Sequence, residues 1–224
     1  MREAAVDRLL AAAAGLRAPL SRDGAARITS YLEALLRKND EVNLTAIRDL
    51  DDAILRHAAD SLAFALHAAA EGVAPERVLD LGTGGGFPGV PIAVAWPKAD
   101  VLLLDGTRKK ADAVRELCAE AAVRNAEVLW ARAEDVARQG ASPWLGACDA
   151  VVARAVGPLA ELVVRGGPFV RRGGHLVCWK SDALSDEERR LGLDAARAAG
   201  FESVADLPYV SDRPSRLVRY RRGR

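Results

Sequence analysis

The chain is poor in the residues that carry much enzyme chemistry: 224 residues include three cysteines, three histidines and 5 % aromatics. Cys118, Cys148 and Cys178 are odd in number, far apart and in no metal-ligand spacing. That excludes a disulfide framework and a clustered zinc site, so no metal is expected and the three read as small buried hydrophobes of a reducing compartment. His57, His67 and His175 are scattered, with no nucleophile–base dyad in sight. The few aromatics argue against an extended base-stacking platform. No apolar run reaches the ~18 residues of a membrane helix. The stretch "LLAAAAGL" resembles a signal-peptide core, but Glu3 and Asp7 stand where basic residues would be needed. The expected location is the cytoplasm. No spare amphipathic helix asks for a partner, so a monomer is expected.

A strong net charge is also missing: the formal charge is +1, so no global field points to a nucleic-acid partner. Locally the balance is different. Arg213, Arg216, Arg219, Arg221, Arg222 and Arg224 crowd the C-terminal end without an acid among them; Arg108, Lys109 and Lys110 form a second cluster, and Arg171 with Arg172 a third. A solvated face is the ordinary reading of such runs. Their concentration makes Arg108, Lys109, Lys110, Arg213, Arg216, Arg219, Arg221 and Arg222 candidate phosphate contacts.

What is present is a change of rhythm. Before residue 70 the pattern is helical: Ile28, Leu32, Leu35 and Leu36 keep one apolar face, and Ile54, Ala58, Leu62, Ala65 and Ala69 make another, with Asp51 and Asp52 placed to cap it. The polar "KNDEVNLTAIRD" between them reads as a loop. From residue 77, short apolar runs ("RVLDL", "DVLLLD", "AEVLWA", "DAVVARA", "HLVCWK") alternate with helical stretches, best at 108–124, 158–170 and 185–199. Unbroken apolar runs suit parallel strands buried on both faces, and the alternation predicts a doubly wound α/β sheet. "FESVADLPYV" and "RLVRYRR" would add an antiparallel edge pair, for seven strands. Residues 1–70 are expected to form a helical cap rather than an independent domain.

The first strand runs into "LDLGTGGGFPGVPIAV", residues 79–94. Gly84, Gly86 and Gly89 satisfy the dinucleotide spacing G-x-G-x-x-G. Asp80, Gly82, Gly84 and Gly86 satisfy D-x-G-x-G-x-G, the glycine loop of S-adenosylmethionine-dependent methyltransferases. A pyrophosphate wants bare amides at a helix N-terminus and no neighbouring carboxylate. Pro88 removes one such amide, and Asp80 puts an acid beside the loop. S-adenosylmethionine carries no phosphate but an ammonium, so Asp80 is useful to it. Asp105, closing the second strand, can accept ribose hydroxyls under either reading. In "ARAEDV" after the third strand, Ala133 offers its backbone and Glu134 or Asp135 a carboxylate to an adenine. These neighbours favour S-adenosylmethionine, with S-adenosylhomocysteine as product.

Seven segments together are more specific than a glycine loop: "NLTAI" (43–47), "RHAADSL" (56–62), "LDLGTGGGFPGVPIAV", "LLLDGTRKKADAVREL" (102–117), "ARAEDV" (131–136), "VVARAVGPLAELV" (151–163) and "GGHLVCWKS" (173–181). On these the chain, over roughly residues 28–222, resembles the bacterial RsmG family, also called glucose-inhibited division protein B, of 16S ribosomal RNA guanine-N7 methyltransferases. The resemblance implies the class I methyltransferase fold over residues 71–224. It also implies methyl transfer to N7 of one guanosine, nucleotide 527, in small-subunit RNA, within the subunit or an assembly intermediate. Cofactor contacts would fall at Gly82, Phe87, Ala133, Glu134 and Arg154. The family often has Lys-Gly where this chain has Lys180-Ser181, a departure that changes the residue after the strand and keeps the lysine.

Guanine N7 has a lone pair and no proton at neutral pH, so in-line attack needs no general base. Positioning is then the main task, and Arg154, Lys180 and Asn43 are the candidates for it. For Arg154 the structural alternative is an ion pair with Asp149 or Glu161. Asn43 and Thr45 either contact the target base or cap a helix. His57, Asp60 and Ser61 share a helix face and are expected to brace the cap on the sheet; His67 and His175 are expected to be structural. Alternatives to the methyltransferase are a dinucleotide-dependent oxidoreductase and a non-enzymatic RNA-binding factor of the ribosome.

Overall fold

The structure is a computed structural model that describes residues 2–223, with side chains described except at 203–205. Arg224 lies outside the described residues. A seven-stranded sheet runs through the centre in the order β3-β2-β1-β4-β5-β7-β6. Its strands are β1 (Arg77–Leu81), β2 (Asp100–Asp105), β3 (Ala126–Trp130), β4 (Cys148–Arg154), β5 (Val170–Ser181), β6 (Phe201–Val210) and β7 (Pro214–Arg222). The first five are parallel; β7 inserts antiparallel between β5 and β6, pairing Ser181 with Ser215 and His175 with Arg221. The expected sheet and its edge pair are therefore both present. The strand order reverses between β1 and β4, which places a ligand crevice at their carboxyl ends.

Strand side chains alternate between two cores. Val78, Val101, Leu103, Val152, Val177 and Leu217 face one layer, Leu79, Leu102, Val151, Leu176, Val218 and Tyr220 the other. The first layer holds α1 (Arg2–Gly15), α2 (Arg22–Lys38), the segments α3 (Leu50–Ala53), α4 (Asp60–Leu62) and α5 (Phe64–Glu71), α6 (Gly89–Ala95) and α7 (Arg108–Glu120). The second holds α8 (Ala133–Gln139), α9 (Leu159–Gly166) and α10 (Asp186–Ala198).

Local chemistry sets the helix starts. Ser21 accepts from Gly24 N–H to begin α2, and Ser185 accepts from Glu188 N–H to begin α10. The cap of α3 is Asp49, which accepts from Asp52 N–H; Asp51 and Asp52, expected to do this, lie inside the first turn. Between α3 and α4 the chain makes a π-helical stretch, Ile54–Ala59. Its wider turn shifts the apolar stripe, so Phe64 and His67 turn inward while Ala69 is exposed. In α2, Tyr31 is fully buried and Leu36 only half-buried, so the inward face centres nearer Tyr31 than the apolar residues alone suggest.

Candidate active site

The glycine loop after β1 is held from below by Asp80. Its Oδ2 accepts from the Thr83 hydroxyl at 2.7 Å and from Gly89 N–H at 2.8 Å, while Oδ1 is buried with no partner. Burial pushes this carboxyl up to about 6, against the two hydrogen bonds that favour its charged form. Other amides of the loop are engaged too: Gly82 and Thr83 donate to Leu104 O, Gly84 to Asp105 Oδ2, Val90 to Gly86 O and Ile92 to Pro88 O. Pro88 and Pro91 have none. The start of α6 therefore keeps no free amide for a pyrophosphate. A buried carboxylate with one orphaned oxygen suits a cationic group instead, and the ammonium of S-adenosylmethionine fits it.

Two glycines are fixed by contact as well as conformation. Gly82 has φ +72° and would drive a Cβ into Val156 in the loop after β4; Gly86 has φ +94° and would drive one into the Tyr31 hydroxyl. Tyr31 itself donates to Gly85 O at 2.9 Å, so α2 pins the crest of the loop. Gly84 has open space on its Cβ side. Asp105, at the next strand end, is buried; it accepts from Gly84 N–H and, at 2.7 Å, from Thr107 N–H. Phe87 is buried too, its ring stacked on His57 at 4.5 Å and edge-on to Tyr31. It joins the loop to the helical layer. Ala133 is buried at the start of α8, and Glu134 pairs with Arg165 at 2.9 Å.

Beside the loop, at the ends of β4 and β5, a cavity of about 430 Å³ opens between sheet and helices. Arg154 and Lys180 line it, with Thr45, His57, Asp60 and Trp179 among the other walls. Arg154 donates to Arg56 O and Asp60 Oδ2, both at 2.9 Å, and to His57 Nδ1 at 3.0 Å. Its acid is Asp60 rather than Asp149 or Glu161. Asp149 instead accepts from Arg171 and from Glu76 and Arg77 N–H, and Glu161 pairs with Arg165. Asp60 Oδ1 accepts from Tyr209 at 2.7 Å and Ser211 at 3.2 Å, and its carbonyl from Trp179 Nε1 at 2.9 Å. Burial, then Arg154 and Arg56, push the His57 imidazole down to about 3, so it is neutral at physiological pH. After Arg154 the chain turns through Ala155 in the left-handed region, φ +58°.

Lys180 Nζ donates to Gly157 O and Glu188 Oε1, both at 2.7 Å, which ties the loop after β4 to α10. Asn43 is exposed and is not among the cavity's lining residues. The residue that shapes its loop is Asn39: it donates to Thr45 O at 2.8 Å and accepts from Leu44 N–H at 2.8 Å and Thr45 N–H at 3.0 Å. Asn39, Tyr31 and Glu188 escape a sequence reading because their partners are loop backbone groups or distant side chains. Only Tyr31 leaves a signal, a polar tip on an apolar face.

The basic residues divide. Lys109 is exposed, Lys110 half-buried, and Arg213 is exposed at the cavity rim. Arg108 lies over Trp130 at 5.2 Å and near Asp112. Arg219, expected to meet phosphate, is 3 % exposed and paired with Glu71. Arg216 is held by Asp182 and Asp206, and Arg222 donates to Gly167 O and Val170 O. The reason is topological: the C-terminal basic run is strand β7, flanked on both sides and covered by helices, rather than a free tail. Arg221, on the same strand, is half-buried.

A second cluster lies at the opposite ends of the strands. His67, Glu71 and His175 present ligand atoms within 4.8 Å of one another. Burial pushes His67 down to about 2 and His175 to about 4, but the Glu71 charge is already matched by Arg219. These histidines complete a buried polar group. The three cysteines are buried and free, their thiols pushed up to about 12 by burial. No helix among the described residues is long and apolar enough to cross a membrane.

The family profile described as GidB, rRNA small subunit methyltransferase G, matches residues 25–205. A curated protein of Chlorobium luteolum named ribosomal RNA small subunit methyltransferase G is 37 % identical over 187 residues, 83 % of this chain and 74 % of the relative. One of the same name from Xanthomonas campestris is 39 % identical over 171 residues, 76 % of each chain. Among solved structures, an O-methyltransferase from Bacillus cereus in complex with SAH superposes with a TM-score of 0.59 at 19 % identity, covering 86 % of this chain and 90 % of that one. At that identity the likeness shows the fold, a class I methyltransferase architecture.

Proposed function

The chain belongs to the GidB family, rRNA small subunit methyltransferase G, and on that premise we propose that it methylates N7 of a single guanosine, nucleotide 527, of 16S ribosomal RNA. The observation that carries the reading is the pairing of two features at the β1 and β4 ends. One is a glycine loop without free helix-start amides but with an orphaned buried carboxylate oxygen. The other is the adjoining cavity walled by Arg154, His57 and Lys180. When bound, S-adenosylmethionine supplies an electrophilic methyl on sulfur, leaving S-adenosylhomocysteine as the sulfur–carbon bond breaks and the N7–carbon bond forms.

The chain's own residues bind and orient. Asp80 and the backbone at Gly82, Gly84 and Gly86 serve the methionine end, with Phe87 holding the loop in place. Asp105 serves the ribose hydroxyls, and Ala133 with Glu134 the adenine. Arg154 and Lys180 border the place of the target nucleotide, which must leave its stack to enter. No residue has to take a proton from N7. That agrees with a neutral His57 whose Nδ1 is occupied by Arg154, and with an Asp60 whose two oxygens are both engaged.

Residues 1–70 serve as a cap rather than a separate domain, supported by Tyr31 on the glycine loop and Asp60 on β4. Lys109, Lys110 and Arg213 meet RNA phosphates. The protein acts in the cytoplasm as a monomer, on the small subunit or an assembly intermediate. Calorimetry with S-adenosylmethionine, S-adenosylhomocysteine and NAD tests the cofactor: the first two should bind, and binding of NAD alone would sink the reading.

A further inference from the structure

The donors and acceptors around Thr45 can be assigned one by one. An arginine never accepts a hydrogen bond, so the 3.0 Å contact from Arg154 makes His57 Nδ1 an acceptor. A neutral imidazole then carries its proton on Nε2, which lies 2.6 Å from Thr45 Oγ1. That oxygen therefore accepts from His57. It also accepts from Ile47 N–H at 3.0 Å. With both lone pairs used, the Thr45 hydroxyl proton is left as a donor, and no acceptor among the described residues bonds it. Thr45, Ala46 and Ile47 all line the cavity, and the three Asn39 hydrogen bonds fix the loop that carries them.

The neighbouring donors are differently placed. Trp179, Tyr209 and Ser211 donate to Asp60, Ser215 donates to Arg213 O, and Arg154 is directed to Asp60, His57 and Arg56 O. Lys180 and the exposed Arg56, Ser181 and Arg213 also line the cavity, but Thr45 is the neutral hydroxyl whose direction is fixed, by the bonds it accepts from His57 and Ile47. Guanine shows N7 and O6, both acceptors, on one edge; adenine shows N7 beside an amino donor. If N7 is the methylated atom, the group next to it must be read by a donor that leaves N7 free.

We infer that Thr45 donates its hydroxyl proton to O6 of the target guanine and so selects guanine over adenine. The inference rests on the function proposed above. It makes Thr45 a specificity-determining residue, whose donor role is enforced by the Arg154–His57 relay behind it.

The test compares RNA substrates carrying guanine or 2-aminopurine at the target position. 2-Aminopurine keeps N7 and has hydrogen in place of O6. Intrinsic differences in N7 reactivity cancel when the ratio of kcat/KM for the two RNAs is compared between enzymes. The wild-type ratio should exceed that of Thr45→Val by about tenfold, the value of one buried hydrogen bond. Thr45→Ser, which keeps the donor, should retain the wild-type ratio. A structural role alone would lower both rates of Thr45→Val equally and leave its ratio unchanged, which would overturn the inference. Should Thr45→Val fail to fold, a wild-type enzyme indifferent to O6, or a Thr45→Ser enzyme that loses its preference, overturns it equally. A wild-type enzyme that methylates no guanosine in small-subunit RNA overturns the proposed function itself, a different and separately visible result.

Discussion

Arg154 at the end of β4 donates to Asp60 Oδ2 at 2.9 Å across 94 residues of sequence, in a pair whose side chains are only 14 % and 16 % exposed. This bond joins the helical layer to the sheet at the mouth of the cavity. Asp60→Ala leaves the guanidinium without its acid and the Tyr209 hydroxyl without its acceptor. The expected loss of stability in urea denaturation is about 3 kcal/mol. Combining it with Arg154→Met should cost less than the sum of the single changes. Strict additivity would show that the two residues are not coupled.

The two kinds of left-handed glycine should separate. Gly140, φ +68°, has no neighbour within 4 Å of a built Cβ, so Gly140→Ala should cost about 1 kcal/mol through backbone conformation alone. Gly86→Ala adds a collision with the Tyr31 hydroxyl and should cost clearly more, with weakened S-adenosylmethionine binding by calorimetry. Equal costs would mean that the loop yields freely to its neighbour.

The parallel sheet was legible because its inner strands, buried on both faces, read as unbroken apolar runs, and the edge strand β3, only partly buried, still carries a short one. The candidate residues Asp80, Gly82, Asp105, Arg154 and Lys180 lie at or just past those strand ends, where the same pattern put them. What stayed hidden was partnership. Arg154 meets Asp60 rather than a nearby acid because the helical layer folds back over β4. Arg219 was misplaced because a basic run looks the same whether it is a tail or a strand; only the antiparallel pairing of β7 between β5 and β6 puts it inside. The π-helical stretch at Ile54–Ala59 leaves no signature in apolar spacing, so the inward turn of His67 could not be read.

Binding to RNA should follow exposure rather than sequence clustering. Neutralising Lys109, Lys110 and Arg213 together should flatten the salt dependence of RNA affinity by roughly 0.7–0.9 in slope for each lost phosphate contact. Arg219→Met should leave that slope unchanged and lower the unfolding midpoint, since it breaks the buried pair with Glu71. A reduced slope in Arg219→Met would contradict its interior placement.

Acid should destabilise the protein while leaving the chemistry near neutrality untouched. His57 and His67 have folded values of about 3 and about 2, below the ordinary 6.5. Their contribution is complete above about pH 6.5 and is lost as pH falls toward those folded values, because the unfolded chain binds the protons first. Asp80, raised to about 6, works in the opposite direction: its contribution is present below 3.8 and lost as pH rises through about 6. The histidines outweigh it, so stability in urea should fall by about 2–4 kcal/mol between pH 7 and pH 5. The transfer rate with bound substrates should stay level between about pH 6.5 and 8.5; a limb near 6.5 would reveal a titrating base that the mechanism does not contain.

The central claim is the methyl transfer itself. Mass-spectrometric mapping of N7-methylguanosine in 16S ribosomal RNA, from cells with and without the gene, reads it directly. The account predicts that one modified guanosine, at nucleotide 527, disappears when the gene is removed and returns with the wild-type chain. An unchanged map would contradict it, even if the protein binds S-adenosylmethionine.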